Sequence, residues 1–416
     1  MGDPLEEVFD MSIVKPGSAV ICRIDINSPI RKQGDEVIIL DDTRFRSHKK
    51  TIEQLIDNSN RVVLLAHQGR PGREDFVSLR PHAELFSEIL ELDVKFVDDI
   101  LGTKAIDAIK NLGQGEILLL DNVRSLEFEY QNKAPEEHAK SPLVKTLSKY
   151  ADFFVLDGFA VAHRAHASVV GFAPVLPSAA GLLMEKEVIN LDRIRKQASE
   201  YTLIFGGAKL SDAVKYIQKF LESGKTDRIL LTGLVALAFH MVRGLKIPSQ
   251  TKELILDRLG NKGIEKIQAL AKSDKIVLPL DYGVEVNGTR KNISVDQLNE
   301  VDAPAKDIGP ATIEYYLDLI RDRDVILIKG PAGVIEDEKF AWGSKILLEK
   351  LFRMNKFIMF FGGHLVSILG DIDESIKRGK YFISTGGGAA IEYLLKGTLA
   401  GLEALKLSYR IFANRV

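Results

Sequence analysis

The stretch 152–171, DFFVLDGFAVAHRAHASVVG, sets His163, Arg164 and His166 within four residues of one another, among Ala, Val and Gly. Small neighbours let such a loop pack closely, so its three basic or polarisable side chains must face a partner. Four more arginines fall in comparable settings: Arg23 in RIDIN, Arg44 in DDTRF, Arg70 in HQGRPG and Arg124 in DNVR. A guanidinium fork binds carboxylate or phosphate bidentately, and clustered guanidiniums repel one another unless an anion lies between them. The chemistry is therefore capture of a small, multiply charged anion. A metal on His163 and His166 is the weaker alternative, because the arginines would repel the cation. A solvated basic turn is the plainer one.

The second half of the chain carries different punctuation. Apolar runs end in Phe205-Gly206-Gly207-Ala208-Lys209, Leu231-Thr232-Gly233, Ile328-Lys329-Gly330-Pro331, Phe361-Gly362-Gly363 and Ser384-Thr385-Gly386-Gly387-Gly388. Glycine lets main-chain amides approach a ligand, and a following helix N-terminus adds partial positive charge, so phosphate is the natural guest. Glycine at a single strand end is most often an ordinary tight turn; glycine at five strand ends along one sheet edge points to phosphate. Neither GxxxxGK[ST] nor GxGxxG occurs, which leaves out a Walker-type loop and a dinucleotide fingerprint.

Short apolar runs alternate with helix-length amphipathic segments, the pattern of an α/β protein with parallel sheets. In the first half strands are expected at 19–26, 61–66, 94–97, 116–120 and 152–156, and four of the five run into Arg or His. Arg23, Asp25 and Asn27 alternate onto one side of the first. Parallel strands bring their carboxyl ends to one edge, where ligands bind. Pro174, Pro177 and Gly181 then interrupt the pattern before a helix at 182–197, a connector and hinge. The segment 249–275 is charged and helical, an outer cover without legible chemistry.

At 416 residues, 45% hydrophobic and 27% charged, the chain is expected to form two globular domains. A net charge of −2 recruits neither nucleic acid nor membrane. The lone Cys22 leaves no internal disulfide, and the absence of CxxC argues against a thiolate zinc site. No signal pattern or membrane-length apolar run is found, so a cytoplasmic protein is expected.

Ten stretches, in order, resemble the phosphoglycerate kinase family in its archaeal branch. They are RIDINSP at 23–29, DDTRF at 41–45, HQGRPG at 67–72, DNVR at 121–124, AHRAHAS at 162–168, GGAK at 206–209, DIGP at 307–310, GPAGVIE at 330–336, FGGH at 361–364 and STGGGAA at 384–390. The resemblance implies two doubly wound parallel-sheet domains joined by a hinge helix, with a cleft between them. It places a phosphoglycerate-binding domain at 1–173, the hinge and interdomain helix at 174–198, a nucleotide-binding domain at 199–404, and a tail at 405–416 packing back on the first. It implies reversible phosphoryl transfer from 1,3-bisphosphoglycerate to ADP, giving 3-phosphoglycerate and ATP, with Mg²⁺ arriving on the nucleotide and a monomeric or homodimeric protein.

Carried over by residue, Asp25, Asn27, His67, Arg70, Arg124 and Arg164 would hold 3-phosphoglycerate, with His163 and His166 completing the basic rim. Arg44 and Lys209 would meet the moving phosphoryl group, to which Gly386, Gly387 and Gly388 would offer amides. Glu336 would hold the ribose, while Gly206, Gly207, Gly233 and Pro331 would line the nucleotide pocket. Three positions depart from the family pattern. Ala213 stands where a second lysine is usual, Lys329 where Asn is usual, and His364 where a metal-side Asp is usual, so no protein ligand is assigned to the metal. Lys329 is expected to replace the charge missing at Ala213. Two other classes are alternatives: a sensor that binds both ligands without transfer, favoured by the three departures and disfavoured by Arg44 and Lys209, and a dinucleotide oxidoreductase, disfavoured by the missing fingerprint.

Overall fold

A computed structural model describes every residue except Met1, Asp35, Asp302 and His364, and of Val366 and Ser367 the backbone alone. The chain forms two compact units, Met1–Arg193 with Thr385–Val416, and Ile194–Ser384. Among the described residues no helix is long and apolar enough to cross a membrane.

In the first unit the strands are β1 (Ala19–Arg23), β2 (Ile30–Gln33), β3 (Glu36–Ile39), β4 (Arg61–Leu65), β5 (Val94–Val97), β6 (Ile117–Leu120), β7 (Phe153–Leu156) and β8 (Ser178–Ala180). Six of them form a parallel sheet in the order β5-β6-β4-β1-β7-β8. β1, β6 and β7 bury every residue, as expected for apolar runs covered on both faces. Phe45, Ile52 and Leu55 of the helix Thr43–Asp57 and Phe86 of Arg80–Leu90 close one face over Val20, Cys22, Val62 and Leu64. β4 pairs with one side of β1 and β7 with the other, so the carboxyl ends of three neighbouring strands share an edge. The β2–β3 hairpin and the short edge strand β8 were not foreseen.

The helix Leu182–Gln197 has the expected bounds, and the division between units falls inside it. Its first amides are capped: Leu182 N–H donates to Thr51 Oγ1 (3.1 Å) and Leu183 N–H to Asp157 Oδ1 (2.9 Å). The chain returns to the first unit at Thr385, ahead of residue 405 where the sequence reading placed it. Gly386 lies against Phe159, and the final helix Ala400–Phe412 reaches β8, where Ser178 N–H donates to Ser408 Oγ (2.9 Å).

The second unit holds β9 (Tyr201–Phe205), β10 (Thr226–Leu231), β11 (Ile276–Val277), β12 (Asp281–Val286), β13 (Thr289–Ser294), β14 (Ala305–Ile308), β15 (Val325–Lys329), β16 (Phe357–Phe361) and β17 (Tyr381–Ser384). The parallel sheet runs β11-β10-β9-β15-β16-β17, with β13-β12-β14 as a separate antiparallel sheet. That antiparallel sheet escaped the sequence reading, although DYGVEV-NG-TRKNIS carries a strong hairpin signal. Asn287 and Gly288 both take positive φ (52° and 74°), as a two-residue turn between right-twisted strands requires.

Candidate active site

The first unit contains a cavity of about 360 Å³ lined by Arg70, Pro71, Arg124, Tyr130, Arg164 and His166. The loops after β4, β6 and β7 deliver these side chains to one edge. Arg124 is buried, and a terminal guanidinium nitrogen donates to the Gly69 carbonyl. Arg164 Nε–H donates to His163 Nε2 (3.3 Å), so His163 stands beside Arg164 without lining the cavity. Burial, then the charges of Arg164 and Arg23, pull Arg124 down to about 10. Burial, then Arg164 and Arg124, pull His166 down to about 3. Burial comes first in both cases and the neighbouring guanidiniums add to it, a buried cationic environment that suits an anion.

Asp25 and Arg44 form an ion pair in a narrow crevice shared with His48, Phe159, Leu183 and Thr385. Burial opposes ionisation of Asp25, but Arg44 and then Arg23 leave its carboxyl below the usual range. Asn27 Oδ1 accepts from Gly69 N–H (2.8 Å), fastening the loop that carries Arg70. Gln68 of the same loop exchanges hydrogen bonds with the Ser28 main chain (both 3.0 Å). His48, which the sequence reading did not single out, is buried in a relay. Its Nε2 accepts from Asp25 N–H (3.0 Å), so its Nδ1–H donates to Asp157 Oδ2 (2.6 Å). Asp157 in turn caps the connecting helix.

Arg23 corrects the sequence reading. It is 1% exposed and lies behind the site, with its guanidinium bonded to Ser168 Oγ, the Ile24 and Leu65 carbonyls and His67 Nδ1. β1 ends at Arg23, so the alternation that put 23, 25 and 27 on one side does not continue. Behind it Glu129, also missed, is fully buried and accepts from Ser168 N–H (2.8 Å) and Ser168 Oγ–H (2.5 Å). Tyr130 has no sequence signal that would have placed it in the cavity.

Gly386, Gly387 and Gly388 belong to this first unit, at the start of the helix Gly388–Lys396. Thr385 just before them is held by Glu187 of the connecting helix, which accepts from Thr385 N–H (2.6 Å) and Oγ1–H (2.8 Å).

The second unit contains a cavity of about 550 Å³ at the carboxyl ends of β9, β10 and β15. Gly206, Gly207, Lys209, Gly233, Lys329, Pro331 and Glu336 all line it. Strand ends approach so closely here that a Cβ on Gly206 would lie 2.2 Å from the Pro331 carbonyl oxygen, and one on Gly330 would lie 2.4 Å from that of Gly206. Lys209 precedes the helix Leu210–Glu222, whose first amides have no partners within the helix. Asp212 and Ala213 of that helix also face the cavity. The Lys329 ammonium lies 5.1 Å from the ring centroid of Tyr216, and its pKa is lowered chiefly by burial.

The helical segment Ser249–Leu270, broken by a kink at Gly260 and expected to be only a cover, contributes Thr251, Leu254 and Arg258, all ahead of the kink, to the cavity. Their spacing of three and then four residues places them on one helix face, the signal that could have found them. Arg258 donates to the Ala208 carbonyl (2.8 Å), latching the loop that holds Lys209. On the opposite wall, Val334 N–H donates to the Lys306 carbonyl (2.8 Å), hanging the loop of Glu336 from β14. Asp307 of that strand is buried and pairs with Arg290 at 2.5 Å; burial still pushes its carboxyl up to about 6. Among the described residues no three His, Cys, Asp or Glu side chains are grouped to hold a metal, and His364 lies outside those residues.

A family model described as phosphoglycerate kinase matches residues 11–397. The chain is 40% identical over 413 residues to a phosphoglycerate kinase of Sulfurisphaera tokodaii, covering 98% of this chain and 96% of that one. It is 42% identical over 393 residues to that of Saccharolobus solfataricus, covering 94% of each. The crystal structure of phosphoglycerate kinase from Pyrococcus horikoshii OT3 is similar with a TM-score of 0.82 at 33% identity, over 97% of this chain and 100% of that chain.

Proposed function

The chain belongs to the phosphoglycerate kinase family and is a phosphotransferase, and from that premise we propose that the first unit's cavity takes 3-phosphoglycerate and the second unit's takes ADP or ATP. Arg70, Arg124, Arg164 and His166 surround the anion, with Asp25, Asn27 and His67 fixing its orientation and His163 steadying Arg164. Glu336 holds the ribose, and Gly206, Gly207, Gly233 and Pro331 let the nucleotide lie against main chain. Mg²⁺ enters as part of the nucleotide substrate, its hard-oxygen preference met by phosphate oxygens.

Transfer needs little covalent help. The bond from phosphorus to the carboxyl oxygen of 1,3-bisphosphoglycerate breaks as one forms to a terminal oxygen of ADP, and charge spreads over the equatorial oxygens. Arg44, Lys209 and the amides of Gly386–Gly388 are the donors for that charge, and Lys329 adds a second ammonium on the nucleotide side. Asp25 keeps Arg44 extended until the anion competes for it.

The observation that carries this reading is the convergence of Arg70, Arg124, Arg164 and His166 on one cavity at the carboxyl ends of parallel strands. A coupled assay with 3-phosphoglycerate and Mg-ATP, following NADH oxidation by glyceraldehyde-3-phosphate dehydrogenase, tests it. Turnover should require both substrates. Binding of both without turnover would leave only a sensor.

A further inference from the structure

Arg23 ends β1 opposite Leu65 of β4, and His67 follows two residues later, so the guanidinium reaches the imidazole across neighbouring strands. One terminal nitrogen of Arg23 stands 3.0 Å from His67 Nδ1. A guanidinium only donates, so Nδ1 must offer its lone pair. The other Arg23 bonds leave no freedom to reverse this. Nε donates to Ser168 Oγ (2.8 Å), whose own hydrogen goes to Glu129, and the remaining terminal nitrogen donates to the Leu65 carbonyl (3.2 Å). The Asp25 carboxylate lies 3.8 Å from Nδ1, beyond hydrogen-bonding distance, and is taken by Arg44 and Asn27 N–H.

We propose that Arg23 is a positioning residue that holds His67 as the neutral imidazole protonated on Nε2, an uncharged hydrogen-bond donor to an oxygen of the bound anion. The proposal rests on the proposed assignment of His67 to the phosphoglycerate site, for His67 is itself 2% exposed and does not line the 360 Å³ cavity. Charged groups facing the ring come from every neighbouring element: Arg23 from β1, Asp25 just beyond it, Arg44 from the helix Thr43–Asp57, Arg124 after β6 and Arg164 after β7. Burial, followed by those four guanidiniums, holds the imidazole well below its usual pKa. A second ring proton would add a positive charge where several already repel. His67 therefore directs the anion by hydrogen-bond geometry, while the arginines supply the charge.

Long-range ¹H–¹⁵N correlation on the labelled full chain reads the tautomer directly, from about pH 5 to about pH 8. His67, assigned by its absence in His67→Gln, should show a bare Nδ1 and a protonated Nε2 throughout. A protonated Nδ1, or an imidazolium titrating in that range, overturns the proposal. In folded Arg23→Met the ring should populate both tautomers, and an unchanged spectrum overturns the role of Arg23. Should that variant not fold, the two His67 variants decide. Gln, whose amide reaches the place of Nε2, should bind 3-phosphoglycerate about tenfold more tightly than Asn; equal losses overturn the donor role. Saturating 3-phosphoglycerate should shift the wild-type Nε2–H signal without changing the tautomer. Saturation with no shift overturns the donor role, whereas failure to bind overturns the reading of the cavity and leaves the tautomer standing.

Discussion

The cavity of the first unit gathers cationic side chains; that of the second sets charged side chains of both signs around closely approaching main chain. Around the first, Arg124 and Arg164 are tethered to the Gly69 carbonyl and His163, as Arg44 is to Asp25 in its own crevice. Behind them runs a buried polar layer of Arg23, Glu129, Ser168, His48 and Asp157. Guanidiniums packed this closely must be held apart against their own repulsion, and buried polar groups do that only when they are hydrogen-bonded. Around the second, Gly206 and Gly330 let strand ends approach within a distance no side chain tolerates, and amides at the start of Leu210–Glu222 carry no net charge to restrain. That cavity is the larger, about 550 against 360 Å³, with Leu254 and Val334 among its walls. A charge-dense site demands a scaffold of polar partners. A backbone-dense site demands space.

The largest effect should come from the cationic side chain that each unit is proposed to direct at the transferred phosphoryl group. Lys209→Ala is expected to lower kcat by about 10²–10³-fold, the scale for losing one donor to developing charge, and Arg44→Ala to do the same. Steady-state kinetics would refute the assignment if either variant kept kcat and only raised KM. The next effect separates the sites. Arg164→Ala should weaken 3-phosphoglycerate binding by about 1.5–3 kcal/mol while leaving ADP binding unchanged. Calorimetric titration of each ligand alone checks this, and equal losses would mean that Arg164 supports the fold.

On the nucleotide side, Lys329→Ala should weaken ADP binding by about 1–2 kcal/mol, with Ala213→Lys in the same chain recovering much of the loss. Additive effects in the two single variants and the double variant would break the idea that one lysine replaces the other. The smallest effect at neutral pH belongs to His82, buried in the first unit with Nε2 3.1 Å from Gln68 Oε1. Burial lowers its pKa from 6.5 to about 4. The unfolded chain therefore takes up a proton that the folded chain refuses, and this contribution to stability falls as pH drops from 6.5 towards about 4. In His82→Gln the proton uptake on unfolding across that window should fall by about one. Urea unfolding at several pH values measures it, and an unchanged slope would contradict the assignment.

What the sequence disclosed follows from the same contrast. Buried parallel strands announce themselves because a run such as Ile117–Leu120 is apolar at every position. Residues at their ends could be assigned to an edge, and Arg70, Arg124, Arg164, Lys209 and Lys329 all face cavities. Side-chain direction was not legible once a strand stopped, which is why Arg23 was counted on the rim. Glu129 and His48 were hidden because each answers a buried group distant in sequence, Ser168 and Asp157. The face of Ser249–Leu270 was readable but went unread, because charge along a helix was equated with solvent. Gly386–Gly388 were grouped with the nucleotide strands because they follow β17, whereas contacts with Phe159 place Gly386 in the first unit.

The return of the chain at Thr385 makes the first unit discontinuous and the second an uninterrupted segment, Ile194–Ser384. During synthesis the second unit has all its strands while the first still lacks the helix that covers β8. The edge strand Ser178–Ala180 must wait for Ser408, which emerges 230 residues after Ser178. Domains generally fold as units while the chain grows. Here the second unit can close first although it begins later, and the arginine-lined unit is completed only by residues that emerge after it, from Thr385 on.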